Sequence, residues 1–192
     1  MVVIWQTRYQ LLFATFALAG VMAATQHAPP VIRAIGFLLV IAAVVGLMYQ
    51  GREYTGTVVN VSDGDTLTLL TRGNKIVVRL AGIDAPERLQ PHGLRAAKAL
   101  EDYVWRQTVR VVRVDQDQYG RMVGVVYTRR DCLNVWMIQQ GHAWYYPEYS
   151  RFLSRMGKLR WQAAEQQAKR LRRGLWGQNN PVRPALWRKQ QR

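Results

Sequence analysis

The strongest constraint on this chain is the contrast between its first 50 residues and the remainder. Residues 1–50 contain no acidic side chain and only two of the 27 Lys and Arg residues, Arg8 and Arg33. The other 25 basic residues lie in residues 51–192, together with all 12 Asp and Glu. A chain of 192 residues has room for one domain of ordinary size and an additional segment. The sequence therefore predicts an apolar N-terminal segment, residues 1–50, followed by a strongly basic folded domain.

Two uncharged apolar stretches within this segment approach the length of a membrane-crossing helix. With their flanks they cover about residues 7–25 and 31–50, and a bilayer core needs about 20 apolar residues in a helix. Pro29 and Pro30 lie between them, where a tight turn would join two helices. The pattern favours a helical hairpin that anchors the protein in a lipid bilayer, a bacterial inner membrane, and it leaves open which side the domain faces.

Three other arrangements fit the same residues. One is a cleavable signal peptide over residues 1–24, with Arg8 ahead of the apolar run, followed by one anchor. The second is a single uncleaved anchor, and the third is a buried helix pair in a soluble domain, where uncharged runs of this length are rare. Basic residues that flank membrane helices lie preferentially on one side of the membrane, which favours placing Arg8 and Arg52 on the same side. Arg33, which lies between the two apolar stretches, weakens that bias. The sequence predicts one or two transmembrane helices and does not fix their number.

After the apolar segment the pattern changes to short β-branched stretches separated by turns. Asp63-Gly64 is a strong turn signal between the first two stretches. Predicted strands cover residues 53–61, 66–71, 75–83, 108–114 and 122–128, and predicted helices cover residues 93–107, 133–140 and 150–173. This order predicts an α+β domain over residues 51–177, a five-stranded OB-fold β-barrel with three helices. Residues 178–192 are predicted to form a basic, flexible tail.

Three acids lie at the edges of the predicted strands. Asp65 precedes one strand, Asp84 follows another, and Glu87 lies three residues further on. Carboxylates at strand ends project from a fixed frame, and two of them with a backbone carbonyl and waters satisfy Ca²⁺ or Mg²⁺. A third acid near the metal can take a proton from water. Taken singly, each acid also fits a plain structural role in a turn.

Two arginines strengthen the chemical interpretation of these acids. Arg79 lies within a predicted strand, and Arg121 follows a Tyr-Gly turn. A guanidinium can donate two hydrogen bonds to one phosphate, and phosphoryl transfer needs cationic donors around a developing negative charge. Ordinary surface positions are the alternative for both. The net charge of +15 also attracts polyanions, whether nucleic acid or anionic lipid.

These residues fall within three separated strings. The strings are DGDT at residues 63–66, VRLAGIDAPE at residues 78–87 and DQYGR at residues 117–121. Their order and spacing resemble those of the staphylococcal nuclease (thermonuclease) family over about residues 53–177. Three strings in the right order make chance agreement improbable, so the resemblance is specific.

The resemblance implies a hydrolase, a thermonuclease-like endonuclease that cleaves phosphodiester bonds of DNA or RNA with one Ca²⁺. It implies that Asp65 and Asp84 bind the metal through their carboxylates and Ala85 through its backbone carbonyl. Glu87 would act as general base or orient the attacking water. The family's prototype has Thr where Ala85 stands, a change that a backbone ligand tolerates.

The same resemblance implies the contacts to the substrate. Arg79 and Arg121 would hold the scissile phosphate and stabilise its transition state, and Tyr119 would hydrogen-bond near the neighbouring phosphate. Tyr145 and Tyr149 are candidates for stacking on bases, an interaction that any base can make. Packing between the barrel and a helix is an equal alternative for these two tyrosines.

Two other function classes each fit part of the sequence. One is a non-catalytic, membrane-tethered nucleic-acid-binding module, although domains of that kind usually lose the acids that this chain keeps. The other is a membrane adaptor whose basic face binds lipid, which accounts for the charge and not for the acids. Cys132 is the one cysteine, so the chain forms no internal disulfide. No obligate protein partner is evident from the sequence.

Overall fold

The computed structural model describes residue 20 and residues 29–50 and 53–191. The chain divides between Arg52 and Glu53 into two separate units. The second unit contains every residue to which the sequence assigns a chemical role.

The first unit contains helix α1 (Pro30–Gln50), which has proline at its first position. Proline suits that position because its missing N–H has no partner within a helix. The second predicted membrane segment, residues 31–50, is therefore helical, whereas the first, residues 7–25, lies outside the described residues apart from residue 20. Within the ranges that the structure describes, no helix has the length and hydropathy that crossing a membrane requires.

The second unit is built on a closed barrel of five strands. The strands of the whole unit, in chain order, are β1 (Glu53–Asp63), β2 (Thr66–Thr71), β3 (Asn74–Leu80), β4 (Ile83–Asp84), β5 (Thr108–Gln116), β6 (Met122–Tyr127) and β7 (Trp144–Tyr145). The order around the barrel is β1-β2-β3-β6-β5, and β4 pairs separately with β7. Only the β3–β6 pair of the barrel is parallel. The predicted five-stranded barrel is confirmed.

Strand β1 closes the barrel by pairing with β5 along its first half and with β2 along its second half. Its ladder with β2 has two irregularities, between Val58 and Asn60 and between Val61 and Asp63. Such bulges bend a strand and increase its twist. At Gly56 an added Cβ would lie 2.7 Å from the backbone oxygen of Leu70, so only glycine fits this close approach.

Helices pack against the barrel strands and against one another. They are α2 (Gly93–Val104), α3 (Leu133–Gln139), α4 (Arg155–Arg170) and α5 (Pro184–Gln190), with 3₁₀ turns at Pro147–Tyr149 and Gly174–Gly177. The barrel side chains Leu67, Leu69 and Val111 are fully buried, as are Leu100 of α2 and Met137 of α3. The hydrophobic core is therefore shared between the barrel interior and the helices that close it.

Helix α2 is shorter than the predicted helix over residues 93–107. It ends at Val104, and Arg106 adopts a left-handed backbone conformation with φ of 57°. A left-handed residue cannot continue a right-handed helix.

Residues 178–192, predicted as a flexible tail, contain helix α5. The side-chain amide of Gln90 donates a hydrogen bond to the backbone oxygen of Val182 at 2.5 Å, and Pro184 is buried. These contacts hold the C-terminal segment against the loop that precedes α2.

Candidate active site

Asp65 and Asp84 lie in one pocket at the end of the barrel. Asp65 belongs to the turn between β1 and β2, Asp84 belongs to β4, and the two are only 5% and 4% exposed. The Asp65 carboxylate accepts a hydrogen bond from the backbone N–H of Ala85 at 2.9 Å. A Cβ on Gly64 would lie 2.7 Å from the Cβ of Ala85, so glycine lets the turn and β4 approach each other.

Arg79 of β3 pairs with both carboxylates. It lies opposite Thr66 in the β2–β3 ladder, a register that places it beside the turn of Asp65. Its guanidinium forms an ion pair with Asp65, and its Nη2 lies 3.1 Å from Oδ1 of Asp84. The structure thus brings together three of the residues that the sequence names.

The charges in this pocket shift the carboxyl pKa values in different directions. Burial raises the pKa of Asp65, but the charge of Arg79 and the Ala85 N–H outweigh burial and leave that pKa below its usual value. Burial and then the Asp65 charge raise the pKa of Asp84. The same two causes raise the pKa of Asp63, at the end of β1, to about 6. Crowded carboxylates of this kind favour a cation between them.

Arg121, in the turn before β6, is held by Asp117. The Asp117 carboxylate accepts from Nε of Arg121 at 2.6 Å and from the backbone N–H groups of Tyr119 and Arg121 at 3.0 and 2.9 Å. Burial raises the pKa of Asp117, but these bonds outweigh burial and lower it. Nη1 of Arg121 also lies 3.5 Å from Oγ1 of Thr66, which donates to Asp65 at 3.1 Å. Arg121 therefore reaches the pocket through Thr66.

Glu87 follows β4 and contacts the pocket through Arg188 of α5. Oε1 of Glu87 lies 2.5 Å from Nη1 of Arg188, and Nη2 of Arg188 lies 3.5 Å from Oδ2 of Asp84. The Asp84 carboxylate is thus contacted by Arg79 on one oxygen and by Arg188 on the other. Through these contacts the three acids and two arginines named from the sequence belong to one network.

The three candidate tyrosines occupy different surroundings. Tyr119 is 76% exposed, and the guanidinium of Arg121 lies 5.6 Å from its ring centroid. Tyr149 is 66% exposed, and its ring lies 4.8 Å from that of Tyr146. Tyr145 is buried and its hydroxyl bonds Oγ of Ser150 at 2.9 Å, so its ring offers no open face for stacking on a base. The burial of Tyr145 favours the packing alternative for this residue.

The donor atoms of the pocket suit a hard divalent cation. Asp65 and Asp84 supply carboxylate oxygens beside the backbone of Ala85, and Ca²⁺ binds oxygen ligands that often include waters. Among the residues with described positions, no group of three or more His, Cys, Asp or Glu side chains is placed to hold a metal ion. A cation at Asp65 and Asp84 would therefore need backbone and water oxygens as its other ligands.

Three charged residues in or beside the network, Asp63, Asp117 and Arg188, have no chemical role assigned from the sequence. Asp63 and Asp117 lie inside the strings DGDT and DQYGR, so the resemblance contained a signal for both. Arg188 lies in the predicted tail among several other basic residues, and nothing in its sequence surroundings distinguishes it.

Comparison with known proteins agrees with this geometry. Residues 77–178 match the family model described as Staphylococcal nuclease homologue. An uncharacterized endonuclease of Haemophilus influenzae is 46% identical over 140 residues, covering 72% of this chain and 75% of that protein. A micrococcal nuclease of Shigella flexneri is 37% identical over 168 residues, covering 81% of this chain and 94% of that protein.

A third relative is an uncharacterized endonuclease of Escherichia coli O157:H7. It is 36% identical over 135 residues, covering 69% of this chain and 84% of that protein. With a family match over more than half of its length and relatives of this identity and coverage, the chain belongs to the staphylococcal nuclease homologue family.

Proposed function

We propose that the basic unit is a Ca²⁺-dependent endonuclease that hydrolyses phosphodiester bonds of DNA or RNA. The observation that carries this proposal is the continuous contact network at the end of the barrel. The network contains Arg121, Thr66, Asp65, Arg79, Asp84, Arg188 and Glu87. It combines oxygen ligands for a cation, guanidinium donors for a phosphate and a carboxylate outside the cation pair.

Each part of the network has a task in phosphodiester hydrolysis. Glu87 takes a proton from the attacking water or orients that water, and its 40% exposure leaves it open to solvent. Arg79 and Arg121 donate to the phosphate oxygens and stabilise the negative charge that develops on them. A bound Ca²⁺, held by Asp65, Asp84 and the carbonyl of Ala85, supplies further positive charge at the phosphate.

Binding of a polyanion is supported by the charge of the whole chain and by the exposed rings. The formal net charge is +15, which attracts nucleic acid without sequence preference. Tyr119 and Tyr149 are exposed and can contact a single strand. Two relatives, an uncharacterized endonuclease and a micrococcal nuclease, are named for the same activity.

The test is cleavage of denatured DNA by the purified full-length chain with Ca²⁺ or with EDTA. We expect cleavage that EDTA abolishes and that Glu87→Gln lowers by about 10²–10⁴-fold, the usual contribution of a general base. Glu53→Gln is the matched control, because Glu53 is an exposed glutamate at the start of β1 that pairs with Arg110. Unchanged cleavage by Glu87→Gln would contradict its role, and DNA binding without any cleavage would favour a non-catalytic binding module.

A membrane tether is a separate proposal that rests on composition. Residues 1–50 carry two arginines and no other charged side chain. Fractionation of cells that express the full chain, followed by alkaline extraction of the membranes, tests this tether. Recovery of the full chain in the extracted soluble fraction would contradict it, and protease access in intact cells would give the side on which the barrel lies.

A further inference from the structure

Helix α5 brings a third arginine into the candidate site. Arg188 contacts Glu87 at 2.5 Å and Asp84 at 3.5 Å. This helix lies beyond residue 178, where the match to the family model ends. The contact therefore comes from a part of the chain to which neither the family match nor the sequence assigns a chemical role.

Glu87 depends on this arginine for its orientation. Among the described residues, Arg188 is the only side chain that forms a hydrogen bond or ion pair with the Glu87 carboxylate. A glutamate that is 40% exposed, with no other partner, would otherwise sample several rotamers. A general base must be held within hydrogen-bond reach of the proton that it takes. Arg188 bonds Oε1, which leaves Oε2 available to accept that proton.

A second link joins the same loop to the C-terminal segment. Gln90 is buried, and its side-chain oxygen accepts from the backbone N–H of Glu87 at 3.2 Å. The amide nitrogen of Gln90 donates to the backbone oxygen of Val182 at 2.5 Å. The loop that carries Glu87 is therefore attached to the segment that carries Arg188 both at its backbone and at its carboxylate.

We propose that Arg188 is a positioning residue of the nuclease reaction, which holds the Glu87 carboxylate in place and makes helix α5 part of the active site. The inference rests on the proposed role of Glu87. Arg188 keeps further N–H donors beyond the two that contact the acids, since a guanidinium carries five, and its side chain is 43% exposed. The alternative role for Arg188 is direct contact with the substrate phosphate, and the experiment must distinguish that role from positioning of Glu87.

The experiment measures kcat and KM of the full-length chain on denatured DNA with saturating Ca²⁺, for Glu87→Gln, Arg188→Ala, Arg188→Lys and the double variant Glu87→Gln/Arg188→Ala. We expect Arg188→Ala to lower kcat about 10–100-fold with KM changed by less than about threefold, which is the signature of an interaction that supports the transition state. Arg188→Lys should restore part of kcat. The double variant should be no slower than Glu87→Gln alone, because two residues that act as a unit are not additive.

Two further measurements separate positioning from folding and from metal binding. Lys189→Ala removes the neighbouring exposed positive charge of α5 and should leave kcat within about twofold. Thermal unfolding checks that each variant is folded, and calorimetry gives its Ca²⁺ dissociation constant. Arg188→Ala should not weaken Ca²⁺ binding, because it removes a positive charge 3.5 Å from Asp84.

Several results would overturn the inference. Three results would show that Arg188 does not act through Glu87. In Arg188→Ala, kcat could equal that of the unsubstituted chain, or KM could rise while kcat stays unchanged. In the double variant, kcat could fall by the product of the two factors measured for the single variants. A raised kcat in Arg188→Ala would instead show that α5 inhibits the site, and tenfold weaker Ca²⁺ binding would place its effect at the metal. Failure of the unsubstituted chain to cleave with Ca²⁺ would remove the proposed function and this inference together, whereas the other results leave the proposed function standing.

Discussion

The backbone N–H of Ala85 donates to Oδ2 of Asp65 at 2.9 Å and so joins the end of β4 to the β1–β2 turn. This bond fixes one carboxylate oxygen, while the ion pair with Arg79 holds the other. Each oxygen of the Asp65 carboxylate therefore has a partner within the protein. The same carboxylate is therefore a structural group of the barrel and a proposed ligand of the cation.

We expect Asp65→Asn to lower both Ca²⁺ affinity and stability. The substitution leaves the buried end of Arg79 with Asp84 as its remaining carboxylate, and breaking a buried pair typically costs about 3–5 kcal/mol. The loss of one carboxylate charge should weaken Ca²⁺ binding at least tenfold. Urea unfolding and calorimetric titration with Ca²⁺ measure the two effects.

Asp115→Asn is the matched control for Asp65→Asn, because Asp115 is an exposed aspartate of β5. It should change stability by less than about 0.5 kcal/mol. Equal Ca²⁺ affinities for Asp65→Asn and the unsubstituted protein would show that the cation does not bind at Asp65.

Substitution of Arg79 or of Arg121 should lower kcat to a similar extent, whereas the two substitutions should lower stability by different amounts. Each donor to a developing phosphate charge is worth about 10²–10³-fold in kcat, so Arg79→Ala and Arg121→Ala should both lose activity on that scale. Arg79 faces two buried acids, so Arg79→Ala should also destabilise the metal-free protein by several kcal/mol. Arg121 pairs with a partly exposed Asp117, and its removal should cost about 1 kcal/mol or less.

Steady-state kinetics and urea unfolding without metal check both parts of this prediction. Arg110→Ala is the control, because Arg110 forms a surface pair with Glu53 on the barrel. If Arg79→Ala and Arg121→Ala kept the turnover of the unsubstituted protein, the two guanidinium groups would have no role at the phosphate.

The barrel strands were predictable because short β-branched stretches bounded by turn residues favour strands. Strand β2 runs over Thr66–Thr71, which is the predicted range. The pair β4–β7 was not predicted, since two residues are too few to show any period. The last long helix was predicted over residues 150–173 and begins at Arg155, because Ser154 caps it by accepting from the N–H of Gly157 at 3.1 Å.

The candidate site was predictable where its residues lie in the nuclease-like strings and unpredictable where tertiary packing decides. Asp65, Asp84 and Arg79 meet as their strand positions indicate. Arg188 reaches Glu87 only because a seven-residue helix far along the chain is held by Gln90, a contact that no local pattern reveals. Likewise the burial of Tyr145 depends on helix packing.

Tyr145 and Tyr149 should separate stability from substrate binding. Tyr145→Phe removes the hydroxyl that bonds Ser150, which should cost about 0.5–1.5 kcal/mol and leave KM unchanged. Tyr149→Ala removes an exposed ring that can stack on a base, an interaction worth about 1–3 kcal/mol, so KM should rise without loss of stability. Each variant is the control for the other in urea unfolding and in kinetics on denatured DNA. A raised KM in Tyr145→Phe alone would reverse this assignment.

His92, which is buried, and His142, which is partly buried, form a pair near the start of α2. Nε2 of His92 lies 3.0 Å from Nδ1 of His142, and the rings stack with centroids 5.2 Å apart. Nδ1 of His92 is buried and has no hydrogen-bond partner in the described part of the chain. Burial, and then the charges of His142 and Arg95, lower the pKa of His92 to about 4. Burial also lowers the pKa of His142.

Acid should therefore destabilise the protein through His92. Its folded-state pKa is below the unfolded value of about 6.5, so the unfolded chain binds more protons between pH 6.5 and 4 and stability falls as pH drops through that window. The lowered pKa of His92 corresponds to a loss of folding stability on the order of 3 kcal/mol. His92→Asn should reduce this dependence, and asparagine suits the left-handed backbone of position 92, where φ is 76°. Urea unfolding at pH 7 and pH 4.5 gives the two slopes, and because the carboxylates titrate in both proteins, only their difference reports His92. Equal slopes in the two proteins would show that His92 protonates as easily in the folded state as in the unfolded one.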